Sequence, residues 1–189
     1  MKKFGKSSAQ QGRSMIEMLG VLSIVGVLSV AGITGYSKAM AKYKTAKAID
    51  QVYQIVSGLQ RMFGSQYGYK ELASDPTANA IAFGAIPEEM TKGGDPINAF
   101  GGGVSLSVAK VDTRENGGFV LTFSDLPREA AIALSRVDWD SGSNTLLNIS
   151  LNPESPITEL STTNTVTEIA ISDLSCIDST GNSISWGFR

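Results

Sequence analysis

The chemistry open to this chain is bounded by two side chains it scarcely has: there is no histidine, and Cys176 is its one cysteine. The usual zinc ligand sets and the Cys/His or Ser/His nucleophile pairs are absent, which excludes most hydrolase arrangements. Gly101-Gly102-Gly103 precedes a strand-like run and has no following Lys-Ser/Thr, so it is not a phosphate-cradling loop. Two runs carry oxygens at turn spacing. Asp138 to Asn144 is spaced like part of a calcium loop, but Ile149 stands where a bidentate Glu is wanted, so the run reads as a turn. Asp178-Ser179-Thr180-Gly181-Asn182 is built from standard turn formers. The expectation is a protein that is not an enzyme, with no metal and no cofactor. The remaining chemically pointed residue is Glu17, a lone acid at the mouth of the uncharged run Met18 to Ser37. A carboxylate at the edge of a hydrocarbon span either snorkels to headgroups or takes a partner, because at the bilayer centre it costs about 2.5–3.5 kcal/mol.

The run that Glu17 opens is long enough to cross a bilayer, since about 20 apolar residues at ~1.5 Å of rise each span a ~30 Å core. A cleaved secretory signal would place its small-residue site after the apolar run. Here Ala9 lies before it, and Tyr36-Ser37-Lys38-Ala39-Met40 continues a helix, so the apolar segment is expected to be retained. Small residues recur at every third position, Gly20, Ser23, Gly26, Ser29, Gly32 and Gly35. Three residues advance 300° on a helical wheel, so this ridge winds around the helix and suits contact with several neighbours. Ordinary Gly and Ser content of membrane helices is the other reading. Each glycine also loosens the helix by ~1 kcal/mol relative to Ala in aqueous hosts.

A Lys-bearing leader (Lys2, Lys3, Lys6) ending in Gly12, then four residues, then Glu17 and an apolar helix resembles the class III signal of type IV prepilins and pseudopilins. That resemblance implies cutting after Gly12 by a prepilin peptidase and methylation of the new amino terminus at Arg13. It further implies that Glu17 pairs with the free amino terminus of a neighbouring subunit, a register device as much as a glue. Arg13 departs from the family, which commonly has an apolar residue there. Orientation also rests on the resemblance, because Lys2, Lys3, Lys6 and Arg13 are matched by Lys38, Lys42, Lys44 and Lys47 across the span. The implied protein sits in the inner membrane as a single-pass chain with its head outside the cytoplasm. An assembly platform and a separate ATPase motor then draw it into a homo-oligomeric helical filament outside the cell.

Beyond the span, Tyr36, Ala39, Met40, Tyr43, Ala46, Ile49, Val52, Tyr53, Val56, Leu59, Met62 and Phe63 keep the spacing of one buried helix face, which stops near Gly64. The expected organisation is a leader over residues 1–12, a stalk helix over 13–63 with its apolar part at about 15–37, and a head over 64–189. All six prolines lie in the head, from Pro76 to Pro156. Residues 64–103 read as a connecting loop with one or two short helical turns. Strand-like runs follow at Val104 to Val111, Phe119 to Phe123, Thr145 to Leu151, Thr165 to Ile171 and Ser183 to Phe188. Asp112 to Gly118 reads as a hairpin loop, and Pro127 to Asp138 as a short helix with proline in its first turn. The fold class is α+β, an antiparallel sheet wrapped on a long N-terminal helix.

The head carries a looser likeness. Ile86-Pro87, Asn98-Ala99-Phe100-Gly101-Gly102, a hairpin, and Leu126-Pro127 with a helix ending in Leu134 are similar to type IVb pilins of the thin-pilus kind. In those proteins the Pro-headed helix bears one cysteine of a disulfide; Cys176 matches the C-terminal partner, and Ala131 stands at the other position. Cys176 therefore is either buried as a small apolar residue or pairs between chains. Charge divides the chain as well: Lys38 to Arg61 holds five bases against Asp50, while Glu71 to Arg189 holds sixteen acids against six bases. An acidic head argues against direct nucleic-acid binding. The functional expectation is a structural subunit of a type IV pilus serving adhesion, cell contact or conjugation. A pseudopilin of a type II secretion system, or a membrane-anchored binding domain that never assembles, would share the apolar span.

Overall fold

The computed structural model describes residues 9–64, 68–91, 93–139, 145–163 and 181–189, with the side chains of the first helix described from residue 15 onward. Helix α1 runs from Ala9 to Phe63. Residues 1–42 and 43–189 form two compact units, so the division falls within α1. The reason lies in burial: helix residues after 42 supply one wall of the second unit's core, whereas the large apolar side chains from Met15 to Tyr36 are exposed.

In the second unit, Ala48, Val52, Ile55, Val56, Leu59 and Phe63 form the buried stripe of α1, at the three-and-four spacing of a single face. The expected face is corrected on one side. Val52, Val56, Leu59 and Phe63 belong to it, but Tyr36, Tyr43, Tyr53 and Met62 are exposed, and Ala48 and Ile55 take their place. Tyr36 and Tyr43 lie half a turn away from Val52 on the wheel. Apolar spacing alone tolerated both registers because the aromatic side chains were counted with the core.

A five-stranded sheet packs on that stripe, in the order β3-β5-β2-β1-β4. Its strands are β1 Val104–Val111, β2 Arg114–Leu126, β3 Leu146–Leu151, β4 Glu159–Leu160 and β5 Asn182–Phe188. Three pairings are antiparallel, and β1 with the two-residue β4 is parallel, so the sheet is mixed. Alternation fixes the faces: Leu106, Phe119, Leu121, Phe123, Ile184, Trp186 and Phe188 join the core with α1. Ala109, Val111, Val120 and Leu160 form a smaller cluster on the opposite face. Two aromatic runs knit the main core. Tyr53, Trp139, Trp186 and Phe123 touch in sequence at ring separations of 5.1, 5.3 and 5.5 Å. Phe63, Tyr69, Phe119 and Phe188 do so at 5.9, 4.9 and 5.5 Å. Such ring pairs each contribute about 0.5–1.5 kcal/mol beyond the area they bury.

The expected seven-residue hairpin loop is instead a two-residue turn at Asp112-Thr113, with Val111 opposite Arg114 and a register irregularity beyond it. Asp112 and Asn116 take positive φ (51° and 55°), as do Asp125 and Asn152. Asp and Asn are the non-glycine side chains that best tolerate this region. Between α1 and β1 lie helix α2 (Pro76–Ala82) and 3-10 turns at Lys70–Leu72 and Glu88–Met90, more helix than expected there. Asp75 caps α2 by accepting from the Ala78 amide, and the Thr77 hydroxyl accepts from the Leu106 amide at 3.0 Å. That bond covers a stretch of the β1 edge that β4 does not reach. Helix α3 (Arg128–Ser135) follows Pro127 and is shorter than the expected Pro127 to Asp138. The expected strand over 165–171 lies outside the described residues.

Candidate functional site

The residues singled out for assembly all lie on α1. Gly12 and Arg13 fall inside the helix, which begins at Ala9. Glu17 is exposed and has no ion pair among the described residues. From Met15 to Ile33 the large apolar side chains are exposed, between 51% at Val25 and 72% at Ile16. This part of α1 is long and apolar enough to cross a membrane.

A Cβ placed at Gly20, Gly26, Gly32 or Gly35 would meet nothing within 4 Å. Among the described residues no contact requires those glycines, and the space beside them is open. The serines between them are not free donors. Ser23 and Ser29 donate to the carbonyls of Leu19 and Val25 at 2.8 Å, and Thr34 and Ser37 donate to Val30 and Ile33 at 2.9 Å. Back-bonding of this kind satisfies the hydroxyl in an apolar medium and bends helices slightly. The ridge is therefore open at its glycines, with its hydroxyl donors already used, a detail that spacing alone did not reveal.

In the second unit the glycine motif 98–102 is structural. Asn98 is buried, and its Oδ1 accepts from the Phe100 and Gly102 amides at 2.9 and 3.2 Å. Its Nδ2 donates to the Ser124 carbonyl at 2.8 Å. Gly102 lies against that same carbonyl so closely that a Cβ would sit 2.0 Å from the oxygen. Gln51 of α1 joins the turn, its Oε1 accepting from the Ala99 amide at 2.9 Å. Sequence reading missed this buried glutamine, although its place three residues after Ala48 and four before Ile55, both on the buried stripe, was the available signal.

Asp112, at the β1–β2 turn, holds the chain after β4. Its carboxylate accepts from the Thr162 hydroxyl, the Thr162 amide and the Ser161 hydroxyl. The two bonds from Thr162 and the one from Ser161 hold that carboxyl below its usual range. Ala131 is fully buried on α3, in the core, whereas Cys176 lies outside the described residues. Residues 140–144 and 178–180 of the two turn-like runs lie outside them as well. Among the described residues no group of acids, cysteines or histidines is arranged to hold a metal.

The mixed-sheet head on the later part of α1 has the fold of type IV pilins. The structure of TcpA, a type IV pilin from Vibrio cholerae El Tor biotype, is similar with a TM-score of 0.52 at 11% identity, over 78% of this chain and 99% of that one. A type IVb pilin from Salmonella typhi is 16% identical over the same shares, with a TM-score of 0.46. The chain belongs to the PilS N-terminal family, whose model matches residues 42–188. No curated protein is similar enough to add a further relative.

Proposed function

We propose that this chain is the structural subunit of a type IV pilus, cut after Gly12 by a prepilin peptidase and assembled through α1. The observation that carries this reading is the apolar stretch of α1 from Met15 to Ile33, whose large side chains are exposed. Each such side chain is worth about 1.5–3 kcal/mol on burial, so leaving the stretch in water costs on the order of 20 kcal/mol or more. It must lie in lipid or among other chains, and a filament subunit needs both in turn. The open ridge Gly20, Gly26 and Gly32, with Ser23 and Ser29 back-bonded between the glycines, supports close packing against neighbours once lipid is left behind. The pilin fold of the head supports the same reading.

Cutting after Gly12 would leave a positive amino terminus at Arg13, one helical turn before Glu17 and on the same face. Glu17 of one chain then answers the terminus of the next, and methylation at Arg13 would keep that charge. The test is assembly in a host carrying the peptidase, platform and motor. Glu17→Ala and Glu17→Gln should abolish sheared filaments while the protein persists in the membrane fraction. Normal filament yield from both variants would overturn the role of Glu17, whereas no filaments from the unmutated chain would leave a membrane-anchored domain as the better description.

A further inference from the structure

Helix α1 carries no acid between Glu17 and Asp50, yet four lysines fall in that interval, Lys38, Lys42, Lys44 and Lys47. The first unit ends at Lys42 and so holds two of them. Lys38 and Lys42 are exposed, and among the described residues neither has a carboxylate partner. They are four residues apart and lie on one face of the helix. Like charges at that spacing are unfavourable unless something answers them. In the second unit, by contrast, Lys47 is answered by Glu89 at 3.7 Å.

Length places this pair. Lys38 follows Glu17 by 21 residues, about 31 Å of helix at ~1.5 Å per residue, which matches a hydrocarbon core of ~30 Å. With Glu17 at one boundary and Lys38 at the other, the residues between them, Met18 to Ser37, are all uncharged. Lys42 lies about 6 Å further along the axis, within a headgroup layer about 5–7 Å deep. Tyr36, 66% exposed, precedes the pair by less than one turn, at the level where amphipathic aromatic rings gather in membrane helices. A lysine ammonium is a compact point charge that suits a phosphate oxygen. A zwitterionic lipid brings its own cation to that phosphate, whereas an anionic lipid leaves the charge to be met by the protein.

We propose that Lys38 and Lys42 form a docking surface for anionic phospholipid headgroups, holding the unassembled chain in a leaflet rich in such lipids. This rests on the reading of α1 as a membrane span, and the test separates the two. The full chain, with Lys2→Gln, Lys3→Gln and Lys6→Gln to silence the leader, is reconstituted into phosphatidylcholine vesicles. Flotation with the vesicles after an alkaline wash reports the span. Trace spin-labelled phosphatidylglycerol in one arm, and spin-labelled phosphatidylcholine in the other, report by electron spin resonance the fraction of each lipid held beside the protein. Phosphatidylglycerol should be favoured by about fivefold, and the preference should shrink when salt rises from about 0.15 M to about 1 M. Lys38→Gln with Lys42→Gln should reduce the preference at least twofold, and Lys38→Arg with Lys42→Arg should keep it. A chain that does not float would overturn the span and the proposal with it. A chain that floats but holds both lipids equally, or whose preference survives the double glutamine change, would overturn the proposal alone. Equal holding of both lipids together with loss of filaments in the double glutamine variant would assign the lysines to acids of a neighbouring chain instead.

Discussion

Replacing Gly187 with alanine tests whether the two-residue strand β4 is seated on the sheet as described. A Cβ at Gly187 would lie 2.4 Å from Leu160 Cδ2 and 3.1 Å from Cδ1, more than an ångström inside ordinary contact for the closer atom. Leu160 is 5% exposed and packs with Ala109, Val111, Val120 and Leu147, so its side chain gives way only by surrendering burial. Gly187→Ala should therefore cost about 1–3 kcal/mol, as overpacking commonly does, and Leu160→Ala about 2–5 kcal/mol. Together they should cost about 1–2 kcal/mol less than their sum, because the new methyl occupies space the leucine vacates. Gly118 is the comparison. Its Cβ would meet the Phe188 carbonyl oxygen at 2.4 Å and Leu160 Cδ1 only at 3.3 Å, so truncating Leu160 leaves the backbone clash in place and Gly118→Ala with Leu160→Ala should fall short of additivity by less than the Gly187 pair does. The assay is urea unfolding of the full chain in detergent, followed by the fluorescence of the buried Trp139 and Trp186. Strict additivity of Gly187→Ala and Leu160→Ala would refute the seating of Leu160 over Gly187.

Gln51→Leu, which keeps the volume but leaves the Ala99 amide without its acceptor, should cost about 1–3 kcal/mol in the same unfolding assay. The Asp112 carboxyl is held below its ordinary range by bonds from Thr162 and Ser161. Its contribution is therefore present above the unfolded-state value and lost as pH falls through the lower folded value; the protection of the Thr162 amide against exchange, relative to its intrinsic rate at each pH, should fall with acid over that window, and Asp112→Asn should remove the dependence. Tyr69 has the opposite sign: burial raises its hydroxyl to about 12 from 10.0, so the native state keeps a proton that the unfolded chain releases, and stability should fall as pH rises from about 10 toward 12. Tyr69→Phe should flatten that fall.

The parts of the fold that sequence exposed were those with a long period or strong alternation. Val104–Val111 could be bounded to the residue because branched and small side chains alternate from Val104 to Ala109 and Asp112 then marks the turn. Helix α1 was legible for the same reason, and proline and glycine marked where regular structure gives way. β4 was not legible. Two residues carry no period, and Glu159–Leu160 is held by the Asp112 turn and by the hollow over Gly118 and Gly187, contacts between segments far apart in sequence. The tight Asp112-Thr113 turn was hidden because Asn116, Gly117 and Gly118 read as loop, whereas they continue β2 through a bulge. Among candidate site residues, Glu17 and the small-residue ridge stood out because polarity and size break an apolar run.

The central claim is that this chain is processed at Gly12 and built into filaments through α1. The most direct measurement is the intact mass of the chain recovered from filaments sheared off cells that carry a prepilin peptidase and assembly machinery. The account predicts a filament fraction containing a chain that begins at Arg13, lighter by residues 1–12, with or without one added methyl group. A full-length chain confined to the membrane fraction, in cells whose machinery assembles another pilin, would contradict it.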